Sequence, residues 1–291
     1  MTQPVHHILN RDPLGRQLAE VLARFANGLE ETANFGSIIL SQFAGLGTTR
    51  RHPIVFAMLL RHYLELLDAV SILVRESSID PAKLLLRSML EILFALKYML
   101  ESDSELRASS FIVAHVKKVS LEFRKMTPAQ VQTYPSWASD LAELESELKY
   151  DEHSQALNEY ERLSSLGKGN YPWHSYFGGP RTIQDLAKHL NLSELYDTLY
   201  RQWSGLLHAQ DIFSNRVDSA PEGGTLIVQI RFPRDLQEVT AHAFNMSIEL
   251  FRVFTEKLLP LRLNEFKAWF RSIHTFGQEL NGPGLVSISI T

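Results

Sequence analysis

The chain has no cysteine among its 291 residues. That absence excludes disulfide frameworks, zinc ribbons, iron–sulfur ligation and thiol nucleophiles together, and it fits a reducing compartment, so the cytoplasm is the expected location. An excess of basic charge is also missing. Lys and Arg number 29 against 33 Asp and Glu, a formal net charge of −4, so any attraction for nucleic acid must be local. Long uncharged apolar runs are lacking too: the stretch 54–74 carries Arg61, His62, Glu65 and Asp68, and the stretch 84–100 carries Arg87, Glu91 and Lys97. Neither reads as a membrane span, and the opening MTQPVHHILNRDP lacks the basic-then-apolar order of a secretory signal.

The familiar catalytic signatures are missing as well. The only Gly-Lys pair, Gly167-Lys168, is followed by Gly169 where a phosphate-cradling loop needs Ser or Thr. None of the 11 histidines precedes a glutamate, and none has a glutamate three residues before it, which removes the zinc-protease and di-iron helix patterns. No Gly-x-Ser-x-Gly elbow occurs. Neither a metal nor a cofactor is expected.

Apolar residues make up 45% of the chain, enough for a substantial core, and their spacing is mostly helical. Asp12-Pro13 predicts a first helix over 13–45, His52-Pro53 a second to Val74, and Asp80-Pro81 a third to about Leu100. Thr127-Pro128-Ala129-Gln130 has the form of a capping box that Pro135 cuts short, and a helix is predicted over 136–166. The segment 167–180, rich in Gly and Pro, reads as a loop that Trp173 and Tyr176 should pin down. Thr182 starts a short helix, Asn191 caps another running past His208, and 235–276 reads as one long helix. Thr225 to Phe232 and the alternating 285–290 could pair as a ribbon. The expectation is a mainly α multi-helix bundle with a small peripheral two-stranded β ribbon. It forms a single domain over 1–291, with core 52–213 and the helix 13–45 and segment 224–291 packed on it.

Two helices carry unusual polar content. The 84–100 helix is apolar nearly all round, so Arg87 and Glu91, four apart on one side, either satisfy each other or line a polar pocket. In the helix 195–213, a spacing of ~100° per residue puts Leu195, Leu199, Trp203, Leu206 and Phe213 on one side. Asp197, Arg201, Ser204, His208 and Asp211 fall on the other. That polar face is either solvated, with an Asp197–Arg201 pair, or a site. A proton acceptor, a fixed cation and a hydroxyl together match what metal-free RNA cleavage needs. The run from Arg107 to Lys125, with Lys117, Lys118 and Arg124, is basic, and a solvated helix face explains such a run more often than a phosphate track does.

The strings LLLRSMLEILFALKYML and TIQDLAKHLNLSELYDTLYRQWSGLLH resemble a bacterial family of unknown function marked by an Arg-x-x-x-Glu helix and a later Tyr-Arg-x-x-Ser-x-x-x-His helix, over about 54–213. Arg201-(x)6-His208 also resembles the Arg-x(4–6)-His motif of HEPN domains, compact helical units often acting as dimeric ribonucleases in toxin and antiphage systems. The resemblance implies His208 as general base, Arg201 as phosphate clamp and Ser204 as positioning hydroxyl, with Arg87, Glu91 and Tyr200 in support. It further implies RNA as substrate, a homodimer, and an antitoxin or other partner protein.

Two other classes compete. Residues 182–203 could form a helix-turn-helix for DNA, although Glu194 and Asp197 would face phosphates at the start of its recognition helix. A non-enzymatic scaffold or toxin partner is the third class, with 285–290 free to pair with another chain.

Overall fold

The computed structural model describes residues 16–47, 50–167, 171–203, 217–219, 223–227 and 230–283, and over these the chain is mainly α-helical. In order the helices are α1 (Arg16–Ala44), α2 (His52–Arg75), α3 (Ile79–Glu101), α4 (Ser104–Arg124), α5 (Pro128–Thr133), α6 (Trp137–Ser146), α7 (Ser154–Ser165), α8 (Ile183–His189) and α9 (Ser193–Leu195). A π-helix (Tyr196–Gln202) continues from α9. Strands β1 (Val217–Ser219) and β2 (Thr225–Ile227) precede α10 (Leu236–Leu258), α11 (Leu263–Ser272) and α12 (His274–Leu280). No described helix is long and apolar enough to cross a membrane.

Contacts divide the chain into two compact units, one drawn from 1–47, 59–93 and 194–291 and the other from 48–58 and 94–193. No change of composition announces this division, because its boundaries at 58/59, 93/94 and 193/194 fall inside α2, α3 and α9, and only the boundary at 47/48 lies between helices.

In the first unit α1 packs on α10. The helical spacing of Leu22, Phe25 and Leu29 buries one stripe of α1, and α10 contributes Leu250, Phe251 and Phe254. The contact is close: a Cβ on Gly36 would sit 2.4 Å from Leu64 and 2.5 Å from Phe251. Phe35 stacks on Trp269 of α11 with centroids 4.0 Å apart. The helix predicted over 235–276 is broken into three: Pro260 has no N–H for the helix ladder and opens a 3-10 turn after α10, and a second break at Ile273 separates α11 from α12.

The expected ribbon is also corrected. Thr225–Ile227 pairs antiparallel with Val217–Ser219, Val217 opposite Ile227, in a ladder three residues long, and the pairing with 285–290 is not supported. Residues 284–291 lie outside the described residues, as does the Asp12-Pro13 start of α1.

The second unit is arranged around α4, which packs against α6, α7 and the turn at Trp173–Gly178. The capping box forms as predicted: Thr127 accepts from the Gln130 N–H while the Gln130 side chain takes the Thr127 N–H. The single helix predicted over 136–166 is interrupted at Tyr150, which is extended (φ −72, ψ 134). Its hydroxyl accepts from Arg51 Nη2 at 2.7 Å and its ring lies under the same guanidinium, a long-range contact that overrides the local periodicity.

Candidate functional site

The Arg-x-x-x-Glu helix and the Tyr-Arg helix meet in the first unit. The Arg87 guanidinium lies 4.0 Å over the Tyr200 ring. Tyr200 in turn stacks on Tyr196, centroids 5.0 Å apart and planes 16° from parallel, so Arg87, Tyr200 and Tyr196 form one column. Arg87 Nε is 3.7 Å from Glu91 Oε1, an ion pair beyond hydrogen-bond distance. The pair is not buried as its apolar helix suggested: the side chains are 21% and 47% exposed, because this edge of α3 is where the helix leaves the core. Partial burial raises the Glu91 carboxyl pKa, opposed by Arg87. Burial and Tyr200 raise the Tyr196 phenol, while Arg201 and Arg87 pull it down, so both guanidiniums lie within electrostatic reach of this ring.

Arg201 is one residue on from this column. Its Nη1 donates to Asp197 Oδ1 at 3.1 Å, and the side chain is 64% exposed, which is the solvated pair foreseen for that face. Leu199 is fully buried, as its place on the apolar side required. The helical geometry differs from the expectation, however. Among the described residues of this stretch Ser193–Leu195 is α-helical, and Tyr196–Gln202 is a π-helix with i→i+5 bonding, a form that recurs at functional sites. The 100° spacing expected of the helix therefore does not hold over Tyr196–Gln202. Ser204 and His208 lie outside the described residues.

Beside this column a buried cation is held in place. Lys83 is 3% exposed, donates to Asp80 Oδ1 at 3.0 Å and to Asp235 Oδ2 at 2.7 Å, and sits 5.6 Å over the Trp203 ring. Trp203 meets His242 edge-on at 5.7 Å. Lys83 was not singled out in the sequence, because Asp235 lies 152 residues away and the local Asp80–Lys83 spacing alone does not mark a buried cation.

The second unit holds a cleft of about 520 Å³ that sequence reading missed, although Trp173 and Tyr176 had marked its loop as anchored. Glu101 Oε2 takes hydrogen bonds from His189 Nε2 at 2.7 Å and Arg107 Nη1 at 3.1 Å. Arg107 also donates to the Tyr98 carbonyl and lies 3.8 Å over the Tyr98 ring, whose other neighbours are Trp173 and His189. Partial burial raises the Glu101 carboxyl, but His189 and Arg107 outweigh it and hold the pKa below the ordinary value. Gly179 closes over Tyr98 so tightly that a Cβ would stand 2.4 Å from its hydroxyl. Among the described residues no group of three or more His, Asp or Glu could hold a metal ion.

The chain belongs to a family of unknown function, DUF5677, whose model matches residues 54–224 and so includes both helices of the Arg87–Tyr200 column. No curated protein and no solved structure matches it.

Proposed function

We propose that the chain is a HEPN-like, metal-independent ribonuclease whose site is built around Arg201 and His208. The observation that carries this reading is the Arg87 guanidinium 4.0 Å over Tyr200, which joins the two helices that the sequence singled out. Paired arginines with stacked tyrosines are a surface on which a single-stranded backbone and its bases can lie. The exposed Arg201–Asp197 pair is worth about 0–1 kcal/mol, so a phosphate can displace Asp197 and take the guanidinium bidentately.

In the reaction, neutral His208 accepts the proton of a 2′-hydroxyl, the 2′-oxygen attacks the adjacent phosphorus, and the 5′-oxygen leaves and takes a proton from water, after which His208 returns its proton to solvent. Arg201 stabilises charge on the non-bridging oxygens and Ser204 positions the phosphate. Arg87, oriented by Tyr200 and Glu91, supplies a second cation. A homodimer, a toxin or antiphage role and control by an antitoxin accompany the HEPN likeness. The DNA-binding reading is the weaker one, since its recognition helix would be α-helical for only three residues before the π-turn.

The test is incubation of the protein with total RNA in chelator beside His208→Ala and Arg201→Ala. Cleavage by the parent chain is expected, with both variants reduced at least ~100-fold. Equal cleavage by all three, or none by any, contradicts the reading.

A further inference from the structure

The cleft of the second unit is independent of the ribonuclease reading, and we infer that it binds a small organic cation with an amine or methylated ammonium head. Its volume, about 520 Å³, lies in the range of ligand sites. Its walls are aromatic, with Tyr98, Trp173, Tyr176 and Phe177, and its charged lining is Arg107, His189, Asp103 and Asp185.

The charge balance decides the sign of the ligand. Glu101 neutralises Arg107 at 3.1 Å and holds His189 at 2.7 Å. Asp103 and Asp185 remain, so the lining taken together with Glu101 is net negative whether His189 is neutral or protonated. Asp185 serves α8 as a cap partner of Thr182, its Oδ2 accepting the Thr182 hydroxyl at 2.8 Å. Asp103 has no such duty: it stands at the N-cap of α4 with a left-handed backbone (φ 48) and no side-chain cap hydrogen bond. Among the described residues its carboxylate has no partner.

Three further features favour a polar, cationic occupant. Aromatic side chains attract cations through their faces, and the Tyr98 ring already carries the Arg107 guanidinium at 3.8 Å. Tyr176 is 3% exposed, and its hydroxyl is buried without a hydrogen-bond partner among the described residues, an unmet polar group on the lining of this cleft. Phe177 is 50% exposed in a left-handed conformation (φ 56), its N–H fixed by Glu159 Oε1 at 3.0 Å. A bulky aromatic held that way in solvent is unfavourable unless its position serves a purpose.

Calorimetric titration of the full chain with choline, putrescine and 3,3-dimethylbutan-1-ol, the uncharged isostere of choline, tests the inference. Saturable binding of choline or putrescine is expected, with the isostere about tenfold weaker or absent. Asp103→Asn should weaken the cation by a similar factor and keep the fold, since Asn adopts the left-handed backbone readily. Circular dichroism checks the latter. Equal binding of the isostere, no saturable binding of either cation, or an unaffected Asp103→Asn variant overturns the inference. Because RNA cleavage is not read out here, failure of this site leaves the Arg201 and His208 reading standing, and the reverse is also true.

Discussion

Lys83 shows how much of this protein rests on single charges. An ammonium 3% exposed is tolerable only because Asp80 and Asp235 lie within 3.0 and 2.7 Å of it. Burial lowers its pKa, but the two carboxylates outweigh burial and raise it, so the charge is kept. Lys83→Ala removes their shared cation and should cost about 3–5 kcal/mol in urea denaturation. A loss under about 1 kcal/mol would mean the cluster contributes little. The opposite case is His153, wholly buried, with Nδ1 3.1 Å from the Ser109 hydroxyl and Nε2 without a partner among the described residues. Burial pushes its pKa down against the pull of Glu152 and Glu147, and burial also lowers His52, His174 and His242. A histidine whose folded pKa is depressed binds protons less readily than in the unfolded chain. Its stabilising share is present above the ordinary value of about 6.5 and is lost as pH falls below it. Urea midpoints should therefore be lower at pH ~5.5 than at pH ~7.5, and His153→Gln should narrow that gap. An unchanged gap would acquit this histidine. None of these roles could be read from the sequence, because each depends on burial or on a partner distant in the chain.

Most helix starts were legible, the one expected at Asn191 was not borne out, and helix continuity was not legible. Asp80-Pro81, His52-Pro53 and the Thr127 capping box lie at or within the first turn of their helices, because a capping side chain and a proline act within one turn. The breaks at Tyr150 and in the helix after Asn191 arise otherwise. Tyr150 is drawn out by Arg51, and Asn191 takes a left-handed backbone (φ 58) before a turn that becomes π-helical. Periodicity alone could not foresee either. The close passage of α1 against its neighbours gives a test at this scale. Gly36→Ala would favour an isolated helix by about 1 kcal/mol, yet its Cβ would meet Leu64 and Phe251 at 2.4 and 2.5 Å. A net loss of about 1–3 kcal/mol is expected, read as a lower melting temperature. A higher one would show that the interface can give way.

On the scale of the whole molecule, the mainly α class followed from composition and spacing, whereas the division into two units did not, since most of its boundaries run inside helices. The candidate site was legible in part. Arg87, Glu91 and Tyr200 stood out as polar positions on apolar or motif-bearing helices, and they meet. The cleft of Tyr98, Arg107 and His189 was not, because His189 and Glu101 are 88 residues apart and share no motif. The central claim is that Arg201 and His208 cleave RNA by 2′-hydroxyl attack without a metal. The most direct measurement is the chemistry of the product ends after incubation with a defined single-stranded RNA in chelator. The account predicts 2′,3′-cyclic phosphate and 5′-hydroxyl ends that vanish with His208→Ala, and 5′-phosphate ends, or an intact substrate, would contradict it.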